Sequence, residues 1–143
     1  MVSQLRRKLL LYQITAIFSV IFALAGFSYN VWRMEASETN NNIRTACFEM
    51  LTELAALEQL VFTAVYDKDL KEGSPRKGWV KVGLLNDLSV LVSGGVELKA
   101  QRLKSVWAED WSSMIEDPKA TQRIIDAADA VRMEIKSVLA SLD

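Results

Sequence analysis

The first pattern along the chain is a long apolar segment. Residues 9–32 are almost all apolar, and no later segment is comparably long and apolar. About 24 helical residues rise roughly 36 Å, which is enough to cross a hydrocarbon core of about 30 Å. The pattern predicts a transmembrane anchor helix over residues 9–32, preceded by a short segment, residues 1–8, and followed by a single domain, residues 33–143.

Basic residues on the two sides of this segment predict its orientation, because Lys and Arg beside a membrane span are retained in the cytoplasm. Three basic residues precede the segment, whereas only Arg33 closely follows it. We therefore expect a cytoplasmic amino terminus, an anchor in the inner (plasma) membrane and a periplasmic or otherwise extracytoplasmic domain. The residues expected at the membrane interfaces are Arg6, Arg7, Lys8, Tyr12, Tyr29 and Trp32.

A cleaved signal peptide is the rival interpretation of the same segment. Ala23-Leu24-Ala25 precedes Gly26 and has the small-x-small form that signal peptidase accepts. The apolar character continues beyond this site as far as Trp32, which favours a retained anchor.

Beyond the anchor, apolar residues recur at alternating steps of four and three, which places them on one face of a helix. No glycine or proline lies between Gly26 and Gly73, so we expect the anchor and the first domain helix to form one continuous helix that ends near Glu72. Ser74-Pro75 fits an N-cap followed by proline at the first helical position, and it predicts the start of the next helix. The apolar face, called the inner seam below, consists of Ile43, Cys47, Met50, Leu54, Leu57, Val61 and Ala64.

The second predicted helix contains two adjacent glycines, Gly94 and Gly95, directly after Ser93. Each glycine weakens a helix by roughly 1 kcal/mol, so the pair allows either a kink or a turn. The apolar stripe, which begins with Val80, Leu84 and Leu85 and includes Leu88, Leu91 and Val92, keeps its phase across the glycines. We therefore expect a helix kinked at 93–95 and an all-α fold, an elongated three-helix up-down-up bundle. A break at the glycines would give a four-helix bundle instead.

The last helix has the clearest start in the chain. Asp117 fits an N-cap and Pro118 fits the first helical position. No alternating strand pattern appears in the sequence, which supports the all-α prediction. The apolar face of this helix is expected to contain Ile124, Ala128, Val131, Ile135, Val138 and Leu142.

Composition removes most chemistry from consideration. The chain has no histidine and a single cysteine, so the commonest general base, the commonest transition-metal ligand and thiolate metal sites are all excluded. Neither a phosphate-binding glycine loop nor a nucleophile elbow is present. After residue 33 the chain carries 13 basic and 18 acidic residues, a net charge of −5 that argues against nucleic acid as a partner. We expect no enzymatic activity and no cofactor.

Three features are candidates for interaction. Arg76, Lys77 and Trp79 form a basic, aromatic segment at the start of the second helix, which is typical of a docking site. Trp107 and Trp111 are four residues apart and so share a helix face, which fits either core packing or a groove for a partner helix.

The third feature concerns oligomerisation. Asn40 lies three residues before the inner seam and could fix the register of a homo-oligomer if it is buried. Cys47 is either a small buried hydrophobe or the site of an intermolecular disulfide.

These observations favour a membrane-anchored helical interaction module, an accessory or scaffolding subunit that binds other membrane or envelope proteins. The first alternative is a ligand-sensing bundle that signals through a partner, since the architecture is similar to the sensor halves of chemoreceptors and histidine kinases. The second alternative is a phage-type lysis or immunity component.

Overall fold

The computed structural model describes residues 2–142, except for the side chains of residues 2, 3 and 5. Residues 1 and 143, the two ends of the predicted segments, lie outside this range. The described residues form helices and turns without a strand, so the all-α prediction is confirmed. The helices are α1 (Val2–Val65), α2 (Pro75–Ser89), α3 (Gly94–Asp110) and α4 (Pro118–Ser141).

The chain divides into two compact units, residues 1–40 and residues 41–143. The first unit consists of the N-terminal part of α1, and its described side chains before residue 40 are all exposed. The hydroxyl groups of Thr15 and Ser19 donate to the carbonyl oxygens four residues earlier, so neither is an unsatisfied polar group. By length and composition, α1 is the described helix that could cross a membrane.

The first helix is continuous, as predicted, but it ends at Val65 rather than near Glu72. Lys68 has a left-handed backbone with φ of 54°, which a helix cannot accommodate. The Asp69 carboxylate then accepts from the amides of Lys71 and Glu72 at 2.9 and 3.1 Å and holds a separate turn.

Gly73 has a different role from the helix-ending one that its position suggests. A Cβ on this residue would lie 2.5 Å from the Ala64 backbone nitrogen. The glycine therefore allows the turn to pack directly against the last part of α1.

The prediction of one kinked helix across the glycines is wrong, since α2 ends at Ser89 and α3 begins at Gly94. Ser93 adopts an extended conformation and its Oγ accepts from the Val96 amide at 3.2 Å. This N-cap begins a new helix, because it satisfies an amide that lacks an intrahelical partner. The second unit therefore matches the four-helix alternative.

Consecutive helices in the second unit run antiparallel. Lys81 on α2 contacts Glu53 on α1, while the end of α1 lies beside the turn that precedes α2. Arg123 near the start of α4 binds Asp110 at the end of α3. The inner seam faces the shared core, where its residues are fully buried except for half-buried Ile43.

The core face of α2 differs from the predicted one. Val80 and Leu91, which the apolar pattern placed in the core, are largely exposed. The residues that point inward on α2 are Gly78, Val82, Leu85 and Ser89. Two of these carry small or polar side chains, so hydrophobicity does not reveal the inward face.

Candidate partner-binding surface

The predicted docking segment lies at the start of α2. Ser74 is the N-cap and Pro75 begins the helix, so Arg76 and Lys77 are exposed in its first turn. Lys77 Nζ lies 3.0 Å from the Glu72 carboxylate, an exposed ion pair of the kind that contributes little stability. Trp79 follows and remains 39% exposed.

Trp79 belongs to a contiguous apolar surface, called the α2 patch below, that consists of Trp79, Val80, Gly83 and Leu84. Gly83 has open space where a side chain would be. The flanks of the patch are basic on the side of Arg76 and Lys77.

An open groove between α2 and α3 adjoins the same tryptophan. It has a volume of about 440 Å³ and is open to solvent. Lys104 supplies a positive charge at one wall. The groove is lined by Trp79, Asn86, Gln101, Lys104, Ser105 and Ala108.

The two tryptophans of α3 do not form one surface. Trp107 is fully buried, and a Cβ on Gly78 would overlap its ring. Glycine at position 78 lets the indole lie directly on the α2 backbone, which explains why Trp107 is in the core and is not accessible to a partner. Trp111, one turn later, is 36% exposed.

Trp107 Nε1 is a buried donor that lacks a hydrogen-bond partner among the described residues. Trp107 belongs to the same buried apolar cluster as Met114 and Val82. A buried N–H group without a hydrogen-bond partner reduces the stability of the fold. The position of the indole ring is therefore stabilised by its packing, including the contact with Gly78.

The two residues predicted to control oligomerisation lie in different environments. Cys47 is fully buried in the core, and burial raises the pKa of its thiol. A disulfide to a second chain would therefore require the core to open. Asn40 is only half-buried.

Sequence reasoning did not identify the ion pairs that connect the helices. Arg123 donates from Nε to Asp110 Oδ2 at 2.8 Å, and this hydrogen bond lowers the pKa of the buried Asp110 carboxyl. Arg132 on α4 donates to Glu58 on α1 at 2.6 Å and also binds Asp129. The available signal was an aspartate at position 110 on the apolar stripe of α3, since a buried carboxylate needs a cationic partner.

The residues predicted at the membrane interfaces are exposed on the N-terminal part of α1. The basic side chains of Arg6, Arg7 and Lys8 are exposed in its first turns. Tyr29 and Trp32 have ring centroids 6.2 Å apart near the other end of the apolar segment, whereas exposed Tyr12 lies near its start.

A second feature that sequence reasoning missed is the exposed face of α1 in the second unit. Its side chains repeat at steps of four and three, opposite the inner seam, and none of them is charged. Phe48 is 60% exposed, Phe62 43% and Tyr66 72%. Tyr66 directly follows the end of α1, and its amide donates to the Phe62 carbonyl oxygen at 2.8 Å, so it continues this face. The face, called the outer stripe below, consists of Asn41, Thr45, Phe48, Thr52, Ala55, Gln59, Phe62 and Tyr66.

Within the described residues, no three acidic, histidine or cysteine side chains converge as a metal-binding group. The chain matches no protein-family model, no curated protein and no solved structure.

Proposed function

We propose that this chain is a single-pass inner-membrane protein whose extracytoplasmic bundle docks onto another membrane or envelope protein as an accessory subunit. Residues 9–32 anchor it, with the amino terminus in the cytoplasm. In this proposal the protein acts by binding and positioning a partner and catalyses no reaction.

The observation that carries the proposal is the α2 patch. Val80 and Leu84 have the spacing of core residues, yet Val80 is exposed and Leu84 is partly exposed beside Trp79. Aromatic side chains that are partly exposed next to a groove supply much of the binding free energy at protein interfaces. A contiguous apolar surface is also costly to leave in water, which favours its burial against a partner.

The charges around the patch indicate what kind of partner would bind. Arg76 and Lys77 flank one side, and Lys104 lies on the groove wall. These cations stand on a bundle with an overall negative charge. A segment with an apolar anchor residue and neighbouring carboxylates would match this surface, and the opposite charges would accelerate association more than they would strengthen it.

Affinity purification of the full chain from membranes in mild detergent tests the proposal. We expect a protein to co-purify in stoichiometric amount with the wild type. The variant Val80→Glu should lose this partner, because a carboxylate then faces the apolar contact. Met133→Glu is the matched control, since Met133 is equally exposed but lies on α4.

Two results would contradict the proposal. One is a wild-type chain that purifies without a stoichiometric partner from every detergent tested. The other is equal recovery of the partner with Val80→Glu and Met133→Glu when circular dichroism shows both variants to be folded.

A further inference from the structure

The outer stripe of α1 has the geometry of a coiled-coil seam. From Asn41 to Tyr66 its members alternate by four and three residues, the spacing of positions a and d in a heptad. All eight are exposed or half-exposed in the described structure, whereas the opposite positions of the helix form the inner seam. The helix therefore has one face for its own bundle and a second, uncharged face with heptad spacing, in which Phe48, Ala55 and Phe62 alternate with polar residues before Tyr66.

From this arrangement we infer that two copies of this chain pair in parallel through their outer stripes. Each of the eight residues of the stripe then meets the same residue of the other copy. The inference rests on the proposed membrane anchor, since two copies anchored from the same side enter the bundle in the same direction. A parallel pair places each residue of the seam beside its own copy.

Absence of charge along the outer stripe is what makes self-pairing possible. In a symmetric parallel pair, a charged seam residue would face an identical charge. The hydroxyls of Thr45 and Thr52 donate to the Asn41 and Phe48 carbonyl oxygens at 2.9 and 3.0 Å. Burial of these threonines between two helices would therefore leave no unsatisfied hydroxyl donor.

The residues beside the seam are complementary in the same alignment. The positions that flank the seam of a parallel pair bring position 44 of one copy near position 49 of the other, and Arg44 and Glu49 have opposite charges. Arg44 also donates to the Leu142 carbonyl oxygen of its own chain at 2.9 Å, so it would contribute its charge from a position held by the bundle. The next layer brings Leu51 near Ala56, two apolar residues. In none of the flanking pairs between positions 44 and 63 does a residue face a like charge on the other copy.

The apolar area that the pair can bury indicates where it would form. From their exposed fractions, the three rings of Phe48, Phe62 and Tyr66 offer roughly 350 Å² on each copy. The two copies together therefore offer roughly 700 Å² of ring surface, below the about 1,200 Å² at the lower end of the specific range, so the pair is weak in dilute solution. Restriction of both copies to one membrane raises their effective concentration, so the pair is expected in membranes first.

Cysteine cross-linking of the full chain in native membranes tests the inference. The variants Ala55→Cys and Thr45→Cys are made in a Cys47→Ala background and oxidised with copper phenanthroline. Both should give a disulfide-linked dimer as the main product. Thr45 lies near one end of the outer stripe and meets its own copy only in a parallel pair. Met133→Cys, at an exposed position on α4 outside both proposed surfaces, is the matched control and should stay monomeric.

A second variant measures the strength of the association. Phe62→Glu should weaken the dimer roughly a hundredfold, because two carboxylates would face each other in the seam. Its chain should still fold, since Phe62 is partly exposed. Cross-linking of Ala55→Cys no greater than that of Met133→Cys would overturn the inference, as would a dimer that Phe62→Glu leaves intact.

Failure of the pair and failure of the proposed function give different results. If the copies do not pair, cross-linking fails while the partner bound by the α2 patch still co-purifies. If the proposed docking function is wrong, no partner co-purifies but the cross-linked dimer persists.

Discussion

Gly78 on α2 lies directly under the indole ring of Trp107 on α3, so close that a Cβ on Gly78 would overlap the ring. This contact places the largest buried side chain of the bundle against bare backbone. It sets the separation of α2 and α3 beneath the exposed α2 patch. The proposed docking surface therefore depends on a glycine that lies beneath it.

Gly78→Ala should destabilise the bundle by about 1–3 kcal/mol, the usual cost of forcing extra volume into a packed core. The measurement is chemical unfolding of the full chain in mild detergent, followed by circular dichroism and tryptophan fluorescence. Gly83→Ala is the control on the same helix, because its side chain would enter open space. It should stabilise the helix by about 0.5–1 kcal/mol. Equal effects of the two substitutions would show that the Trp107 contact does not limit the space at Gly78.

Ser93→Ala should destabilise the protein by about 1 kcal/mol, because the Ser93 Oγ caps α3 through the Val96 amide. Ser74→Ala is the matched control. Ser74 also occupies an N-cap, but its side chain makes no capping hydrogen bond. Thermal unfolding of both variants measures the difference, and an equal loss of Tm would argue against a special role for the Ser93 hydroxyl.

The sequence predicted the helices well where large residues carry the pattern. The inner seam of α1 is buried as predicted, and Pro75 and Pro118 begin their helices. The break at Ser93 was underestimated, because an apolar stripe that keeps its phase does not show whether the backbone between its members is helical. The hydrogen bond from the Val96 amide to the Ser93 Oγ shows that a new helix begins here.

The candidate surface was harder to predict, since exposure depends on what packs against each helix. Gly78 and Ser89 form part of the inward face of α2, and neither has the hydrophobicity that marks a core position. Val80 and Leu91 consequently resembled core residues although they are exposed. The pattern likewise gave no means of separating buried Trp107 from partly exposed Trp111 before the position of Gly78 was known.

The Asp110–Arg123 pair should make stability depend on pH. Hydrogen bonding to Arg123 lowers the pKa of Asp110 in the folded state below that of the unfolded chain. The stabilisation is therefore complete above the unfolded pKa, about 4, and is lost as the pH falls through the lower folded pKa. Asp110→Asn should lower Tm at pH 7, and this difference from the wild type should shrink as the pH falls through that range.

Glu116→Gln is the control for the pH experiment, because Glu116 is an exposed acid in the turn that follows α3. Its Tm should track the wild type from pH 7 to acid. If Asp110→Asn and Glu116→Gln gave the same pH profile, the Arg123 contact would not be the source of the acid sensitivity.

Cys47 should resist alkylation in the folded chain, since its side chain is fully buried and burial raises the pKa of its thiol. The thiolate is the reactive form, so both effects slow the reaction. Labelling of the wild type with N-ethylmaleimide should be at least about 100-fold slower than labelling of Met133→Cys in a Cys47→Ala background, because it waits for the core to open. In denaturant the two rates should converge. Rapid labelling of Cys47 without denaturant, or a Cys47-dependent dimer on non-reducing gels, would contradict its place in the core and would restore the disulfide interpretation of this cysteine.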